Sequence, residues 1–387
     1  LYDTLRVHTP VPIFPRDIDY TEWETLRNYP LLNWNMGMVY NLRESDERIY
    51  PQGELGRRTI GLTGDRGNYG IEAVYREELA GRDGRATRQR IARGFYGRVV
   101  DGDNIDPIDG LDVVTTLDLD VQDVANRYLR EQLEAQNAIW GTTIVMEVRT
   151  GEILALVNLG RTPGGGYAER ENYAIGRNTE PGSTFKLASM LLLLDDADMP
   201  LDQTYDTGNG RVVKVGGIRV QDSHAGFNDM DFRTAVAQSS NVYFAKAIWE
   251  RYADNKERYS DFMKKLHLDQ TVGLEAFGEK KPLFQDWKEV PDPNSMLVRR
   301  SFGYRIKLSP IQVITLYNAI ANDGKMISPI LVRELRRDGD VVKHFKTQTL
   351  VDKVCSERTL REVRKLLESV GTEGTGAGFF RDTTLYT

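Results

Sequence analysis

Apolar positions recur along this chain at two periods, and the switches between them mark its elements. Val121, Val124, Ala125, Tyr128, Leu129 and Leu133 fall at helical spacing and predict an amphipathic helix from Val121 to Gln136. Leu111 to Leu117 reads as a strand. Two further apolar runs, Gly141 to Val148 and Glu152 to Val157, are joined by the turn-like Arg149-Thr150-Gly151 and predict a hairpin. Then Glu180-Pro181-Gly182-Ser183-Thr184-Phe185-Lys186 leads into Leu187 to Leu194, apolar on nearly every face, which predicts a buried helix with Ser183 at its N-terminal end. Ile311, Ile314, Leu316 and Ile320 mark a core helix from Ser309 to Ala321, ended by Asn322-Asp323-Gly324, and Leu360, Val363, Leu366 and Leu367 mark another from Ser356 to Val370. A helix, a hairpin and a buried helix in succession predict a mixed α/β layer in which sheet and helices share one core.

Residues 1–110 have a different texture. They are polar and rich in Arg and Gly, with short apolar segments such as Gly37-Met38-Val39-Tyr40 and turns at Tyr50-Pro51-Gln52-Gly53 and Gly64 to Gly70. Short strands and turns fit this better than long helices, apart from Ala73 to Leu79, a helical stretch closed by Gly81. The turn-rich segment Asp101 to Gly110 reads as a linker, so the expected division is a pedestal or interaction module at 1–110 and a second domain at 111–387.

Composition narrows the classes. With 387 residues the chain can bury a sizeable core, and 51 Lys+Arg against 57 Asp+Glu, a net charge of -6, indicate no general attraction to nucleic acid. One cysteine, Cys355, and four histidines supply neither an internal disulfide nor a Cys/His metal cluster, and no cofactor motif is present. No apolar run approaches the roughly 20 residues that cross a bilayer. The chain opens on Leu1 without an initiator Met or leader-type run and is read as a piece of something longer.

The candidate chemistry begins with Ser183 and Lys186. Residues three apart on a helix face the same way, so an amine stands beside a hydroxyl. A lysine can take the hydroxyl proton only if burial or nearby positive charge lowers its pKa, and a helix N-terminus offers N–H groups where an acyl oxyanion would form. The same spacing also fits a serine opening a core helix with a surface lysine one turn on. Ser239-x-Asn241, in Ala237-Gln238-Ser239-Ser240-Asn241, also fits a polar joint between two helical segments. Yet each pattern occurs once in the chain, and in this order they supply what acyl transfer needs: a second hydroxyl to relay a proton and an amide to hold a substrate backbone. His224 lacks the surroundings of a triad base, since no Gly-x-Ser-x-Gly elbow exists. The glycine series Gly371, Gly374, Gly376, Gly378 is not a phosphate loop, because no lysine follows at the required spacing. The charged residues 251–300 are expected to cover the rim of the site.

With these motifs in place the chain resembles the class B penicillin-binding proteins, the monofunctional transpeptidases of peptidoglycan synthesis, and most the division-specific type. The resemblance is carried by Tyr50-Pro51 through Gly67-Asn68-Tyr69-Gly70-Ile71-Glu72, Thr116-Leu117-Asp118 with Gln122, Glu180 to Lys186, Ser239-Ser240-Asn241, and Ser301-Phe302-Gly303-Tyr304 with Leu308 to Gln312. It implies an α+β transpeptidase fold, an antiparallel sheet flanked by helices, on a β-rich N-terminal pedestal. It implies Ser183 as nucleophile, Lys186 as its base, Ser239 as proton relay, and Asn241, Ser240 and Thr184 as substrate-binding residues. The substrates implied are D-Ala-D-Ala stem peptides and β-lactams. The partners implied are a membrane glycan polymerase and division proteins, at the periplasmic face of a membrane to which an N-terminal helix outside this chain anchors it. The family's third motif, Lys-Thr/Ser-Gly, is absent from the 387 residues, which end at Thr387, so the resemblance implies truncation of a longer enzyme. A serine β-lactamase or DD-carboxypeptidase of the same superfamily, and a non-catalytic β-lactam or wall-peptide sensor, are the competing readings.

Overall fold

The computed structural model describes residues 22, 25, 48–64, 67–85, 88–92, 95–98, 105–276 and 278–379. Leu1–Pro51 and Gln52–Thr387 form separate compact units, and the elements that position the site all belong to the second. The apolar segment expected at 37–40 and the linker residues 101–104 lie outside the described residues.

The residues after Gln52 begin with short helices, among them α1 (Gly70–Val74) and α2 (Arg76–Ala80), and a hairpin of β1 (Arg88–Ala92) and β2 (Phe95–Arg98). The predicted helix at 73–79 is thus two helices broken at Tyr75, and Gly81 closes the second with a φ of 63°. β3 (Asp112–Thr115) and α3 (Leu119–Ala135) follow. Asp118 caps α3 by accepting from the N–H groups of Asp120 and Val121.

β4 (Trp140–Met146) and β5 (Ile153–Arg161) form the expected antiparallel hairpin, extended by β6 (Tyr167–Ala168). The connection closes through Gly151 at φ 75°, where Glu147 accepts from the Thr150 N–H. β5 runs beyond the expected Val157 because Asn158, fully buried, accepts from the Thr142 hydroxyl and the Ala174 N–H instead of ending the strand. Both faces of β5 are covered. Ala155, Val157 and Leu159 pack with Ala125 and Leu133 of α3, while Ile153 and Leu156 pack with Ile175 and Ile311. Gln122 of α3, also buried, donates to Leu156 O and accepts from Leu156 N, so a side chain completes the strand's backbone pairing.

The nucleophile segment builds a different core. Gly182–Phe185 is one turn of 3-10 helix, α4 (Lys186–Leu191) continues it, and Leu192–Asp196 loosens into a π-turn. Phe185, Leu187, Ala188 and Met190 to Leu193 pack against α5 (Phe232–Ala237) and α6 (Asn241–Tyr252). They also meet α9 (Pro310–Ala321) and α10 (Glu357–Thr372). The largest core is therefore almost wholly helical, while the sheet shares its two clusters with α3 and with Ile311 of α9, so the expected sharing of a core holds for the hairpin and its helices and not for the Ser183 helix. Between α4 and α5, β7 (Val213–Val215) and β8 (Ile218–Val220) pair as a short antiparallel hairpin.

Residues 251–300 add two helices to the core. α7 (Lys256–Lys265) puts Tyr259, Phe262 and Met263 into the helical core. α8 (Pro293–Arg300) puts Met296 and Leu297 there and Val298 against β7 and β8. Charge dominates the composition of this stretch, yet both helices bury apolar residues, and the segment between them meets the approach to Ser183: Asn178 Nδ2 donates to Lys281 O, and Leu283 exchanges backbone bonds with Lys307, next to Leu308.

Candidate active site

Ser183 enters on a segment held at both ends of its approach. Thr179 and Leu308 exchange backbone hydrogen bonds, Arg305 N donates to Glu180 Oε1, and Gly182 N donates to Gly303 O at 3.1 Å. Gly182, at φ 58°, makes the turn that lifts Ser183 into an exposed position. Gly303 has a φ of 89°, and its Cα faces the Gly182 carbonyl so closely that no Cβ fits between them. The Ser301-Phe302-Gly303-Tyr304 signature thus acts as the brace of the nucleophile turn.

Ser239 and Asn241 arrive on a junction in which one helix ends as another begins. Ser239 N donates to Val236 O and Ser240 N to Ala235 O, the two bonds of a Schellman closure of α5. Ser239 takes the left-handed position of that closure at φ 55°. Ser240 is the N-cap of α6, its hydroxyl accepting from Tyr243 N, and Asn241 is the first residue of the new helix.

The two constellations meet at one nitrogen. Lys186 Nζ lies 3.0 Å from Ser183 Oγ, 3.0 Å from Ser239 Oγ, 2.6 Å from Ser239 O and 2.8 Å from Asn241 Oδ1. Lys186 is only 5% exposed, and the Phe244 ring stands 5.9 Å from the amine. Burial pushes its pKa down from 10.5 to about 7, against a smaller upward pull from the negative charge of Asp222. Both hydroxyls needed for a proton relay therefore contact an amine that is half neutral near neutrality. Ser183 also sits in the first turn of its helix, whose leading N–H groups have no acceptor within it.

The remaining candidates divide. Ser240, 1% exposed, donates its hydroxyl to Asp222 Oδ2 at 2.7 Å and accepts from Tyr243 N, so it has nothing left for a substrate and serves the junction instead. Thr184 is exposed beside Ser183, its hydroxyl turned back onto Pro181 O. His224 is exposed and bonds to no serine. Burial raises the pKa of the Cys355 thiol to about 11. Among the described residues no group of three or more His, Cys, Asp or Glu side chains is placed to hold a metal ion.

Three contributors escaped the sequence reading. Asp222 accepts from Ser240 Oγ and from the N–H groups of Asn241 and Val242. Gly303 braces Gly182. Gly374, from the glycine series, lies against Ala237 O, to which Thr375 N donates at 3.0 Å, so that series closes over the end of α5 next to Ser239. The only textual cue to any of them is the resemblance around Gly303.

The left-handed backbone at Ser239 yields a test of its own. Ser239→Gly removes a Cβ penalty of about 1 kcal/mol, so the variant should melt about 1 °C higher although it loses the hydroxyl that contacts Lys186. Thermal melting of the two proteins side by side checks this.

Residues 141–386 match the family model for the penicillin binding protein transpeptidase domain. The chain is 30% identical over 346 residues to "Probable peptidoglycan D,D-transpeptidase PenA" of Neisseria meningitidis serogroup A, which covers 86% of this chain and 55% of that protein. It is 28% identical over 350 residues to "Stage V sporulation protein D" of Bacillus subtilis, covering 87% of this chain and 53% of that one. Among solved structures, penicillin binding protein 3 from Mycobacterium tuberculosis complexed with aztreonam superposes with a TM-score of 0.69 at 23% identity, over 86% of this chain and 70% of that one. The chain belongs to the penicillin-binding protein transpeptidases, of the class B, division type, with the transpeptidase fold that its sheet and helices describe. It spans about half the length of the curated relatives it matches.

Proposed function

We propose that this chain carries the nucleophile half of a peptidoglycan D,D-transpeptidase that cross-links stem peptides through an acyl-enzyme. The observation that carries the reading is the buried amine of Lys186 in contact with both the Ser183 and the Ser239 hydroxyls. Neutral Lys186 takes the proton of Ser183 Oγ as that oxygen bonds to the carbonyl carbon of the penultimate D-Ala. The bond to the terminal D-Ala nitrogen then breaks, and the proton held on Lys186 passes through Ser239 Oγ to the leaving amine. Asn241, its Oδ1 accepting from the amine and its Nδ2 donating to Gln221 O, is the side chain assigned here to hold the backbone of an extended substrate. An amino group of a neighbouring stem next attacks the ester, forming the cross-link and returning the proton to the serine oxygen. A β-lactam follows the first half of this path, but its leaving nitrogen stays tethered, so the ester on Ser183 persists.

Residues 1–110 are read as a pedestal and 111–387 as the transpeptidase part. A membrane glycan polymerase and division proteins are the proposed partners of the pedestal, on the outer face of the cytoplasmic membrane where this polymer is assembled. Among the described residues no helix is long and apolar enough to cross a membrane.

Labelled penicillin and intact-mass measurement on the full-length protein test the reading. A single long-lived adduct, absent from Ser183→Ala, is expected. Rapid turnover of the drug would indicate a hydrolase instead, and an adduct that survives Ser183→Ala would exclude every serine mechanism described here.

A further inference from the structure

Asp222 lies just beyond β8, 8% exposed, and turns its carboxylate to the start of α6. Oδ2 accepts from Ser240 Oγ at 2.7 Å. Oδ1 accepts from Asn241 N at 2.6 Å and Val242 N at 2.9 Å. No ion pair reaches this carboxylate among the described residues, so its charge is met by N–H groups and by the positive end of a helix 12 residues long. These bonds grip the three residues that follow Ser239. Without them, the backbone around Ser239 would be held only by the Schellman bonds of α5 and the Lys186 amine, and the first turn of α6 would carry Asn241 with its leading N–H groups unpaired.

We propose that Asp222 is a positioning residue for the acylation step: its carboxylate clamps the first turn of α6 and so holds Ser239 Oγ and Asn241 Oδ1 against the Lys186 amine. The inference rests on the serine mechanism proposed above. The carboxylate also acts on the amine directly, drawing its proton affinity upward against burial, whereas the amine's other neighbours, Ser183, Ser239, Asn241 and the Phe244 ring, carry no charge.

Asp222→Asn keeps a carbonyl oxygen for the two N–H groups and removes the charge. Losing the charge-assisted part of these bonds should slow penicillin acylation by about 10- to 100-fold, with drug affinity before acylation near wild type. The NMR titration of Lys186 should move to lower pH, because the charge favouring the ammonium form is gone, and the acidic limb of the acylation rate should move with it. A role confined to folding would leave that titration in place. Wild-type acylation, or an unmoved titration, in a folded Asp222→Asn protein overturns the proposal. If wild type itself is never acylated, the serine mechanism fails, and amide exchange at Asn241 and Val242 still decides the clamp: faster exchange in the variant supports it, unchanged exchange overturns it. Should Asp222→Asn not fold, Ser240→Ala takes its place, since it removes one arm of the clamp and keeps the charge. A loss of acylation of about tenfold supports the proposal and a wild-type rate overturns it.

Discussion

Exchanging Lys186 for methionine will slow acylation of Ser183 by on the order of 10²–10⁴-fold, the usual contribution of a positioned general base. Methionine fills the same buried space without a proton acceptor, so the loss reads the chemistry and not the packing. The pH dependence of the unaltered protein carries the same information. In the proposed mechanism the reactive form is the neutral amine, and with a pKa near 7 it is the majority species at pH 8 and about one-tenth of the total at pH 6. Acylation should therefore fall about tenfold for each pH unit below 7. A lysine left at 10.5 would be neutral in only on the order of one molecule in 10³ at pH 7, and its rate would still be climbing at pH 9. Stopped-flow acylation from pH 5 to 10 distinguishes the two. A rate independent of pH, or a Lys186→Met protein that acylates normally, removes this amine from the mechanism.

Gly303→Ala should damage both the fold and the site. The added Cβ would penetrate the Gly182 carbonyl, and the backbone at φ 89° already excludes most side chains. Strain and overpacking of this kind cost about 3 kcal/mol or more together, which for a chain of this length lowers the melting temperature by roughly 4 °C or more. The damage is directional as well. Gly182 must yield, and Ser183 is the next residue, so the variant should lose acylation even at temperatures where it stays folded. Melting curves with and without saturating penicillin check this: the stabilisation that wild type gains from its adduct should be missing in the variant.

Local geometry decides what could be read from the text. Ser183 and Lys186 are legible because an i, i+3 pair on a helix meets whatever the rest of the chain does, and the hairpin at 140–161 because a turn with Gly151 joins two β-branched runs. Ser239 and Asn241 could be paired with them only through order and resemblance. Asp222 is invisible in the text because its partners lie 18 to 20 residues on, across a helix that nothing in the residues around Asp222 foretells. Gly303 and Gly374 matter for the carbonyls they approach, Gly182 and Ala237, and a glycine in a sequence does not say whose carbonyl it faces. Residues 251–300 were obscured for the opposite reason: averaged over the stretch, charge hides the apolar residues that α7 and α8 bury.

The fused end of α5 and beginning of α6 has a consequence for how this protein can vary. Most connections in the domain have slack, and loops such as 162–166 at the surface can lengthen without disturbing anything beneath them. At Ser239-Ser240 there is none. One inserted residue would turn Asn241 by about 100° around its own axis and break the closure that aims Ser239, and one deleted residue would do the same in the other sense. Natural drift in chain length should therefore stop short of this joint on both sides, however freely it runs elsewhere.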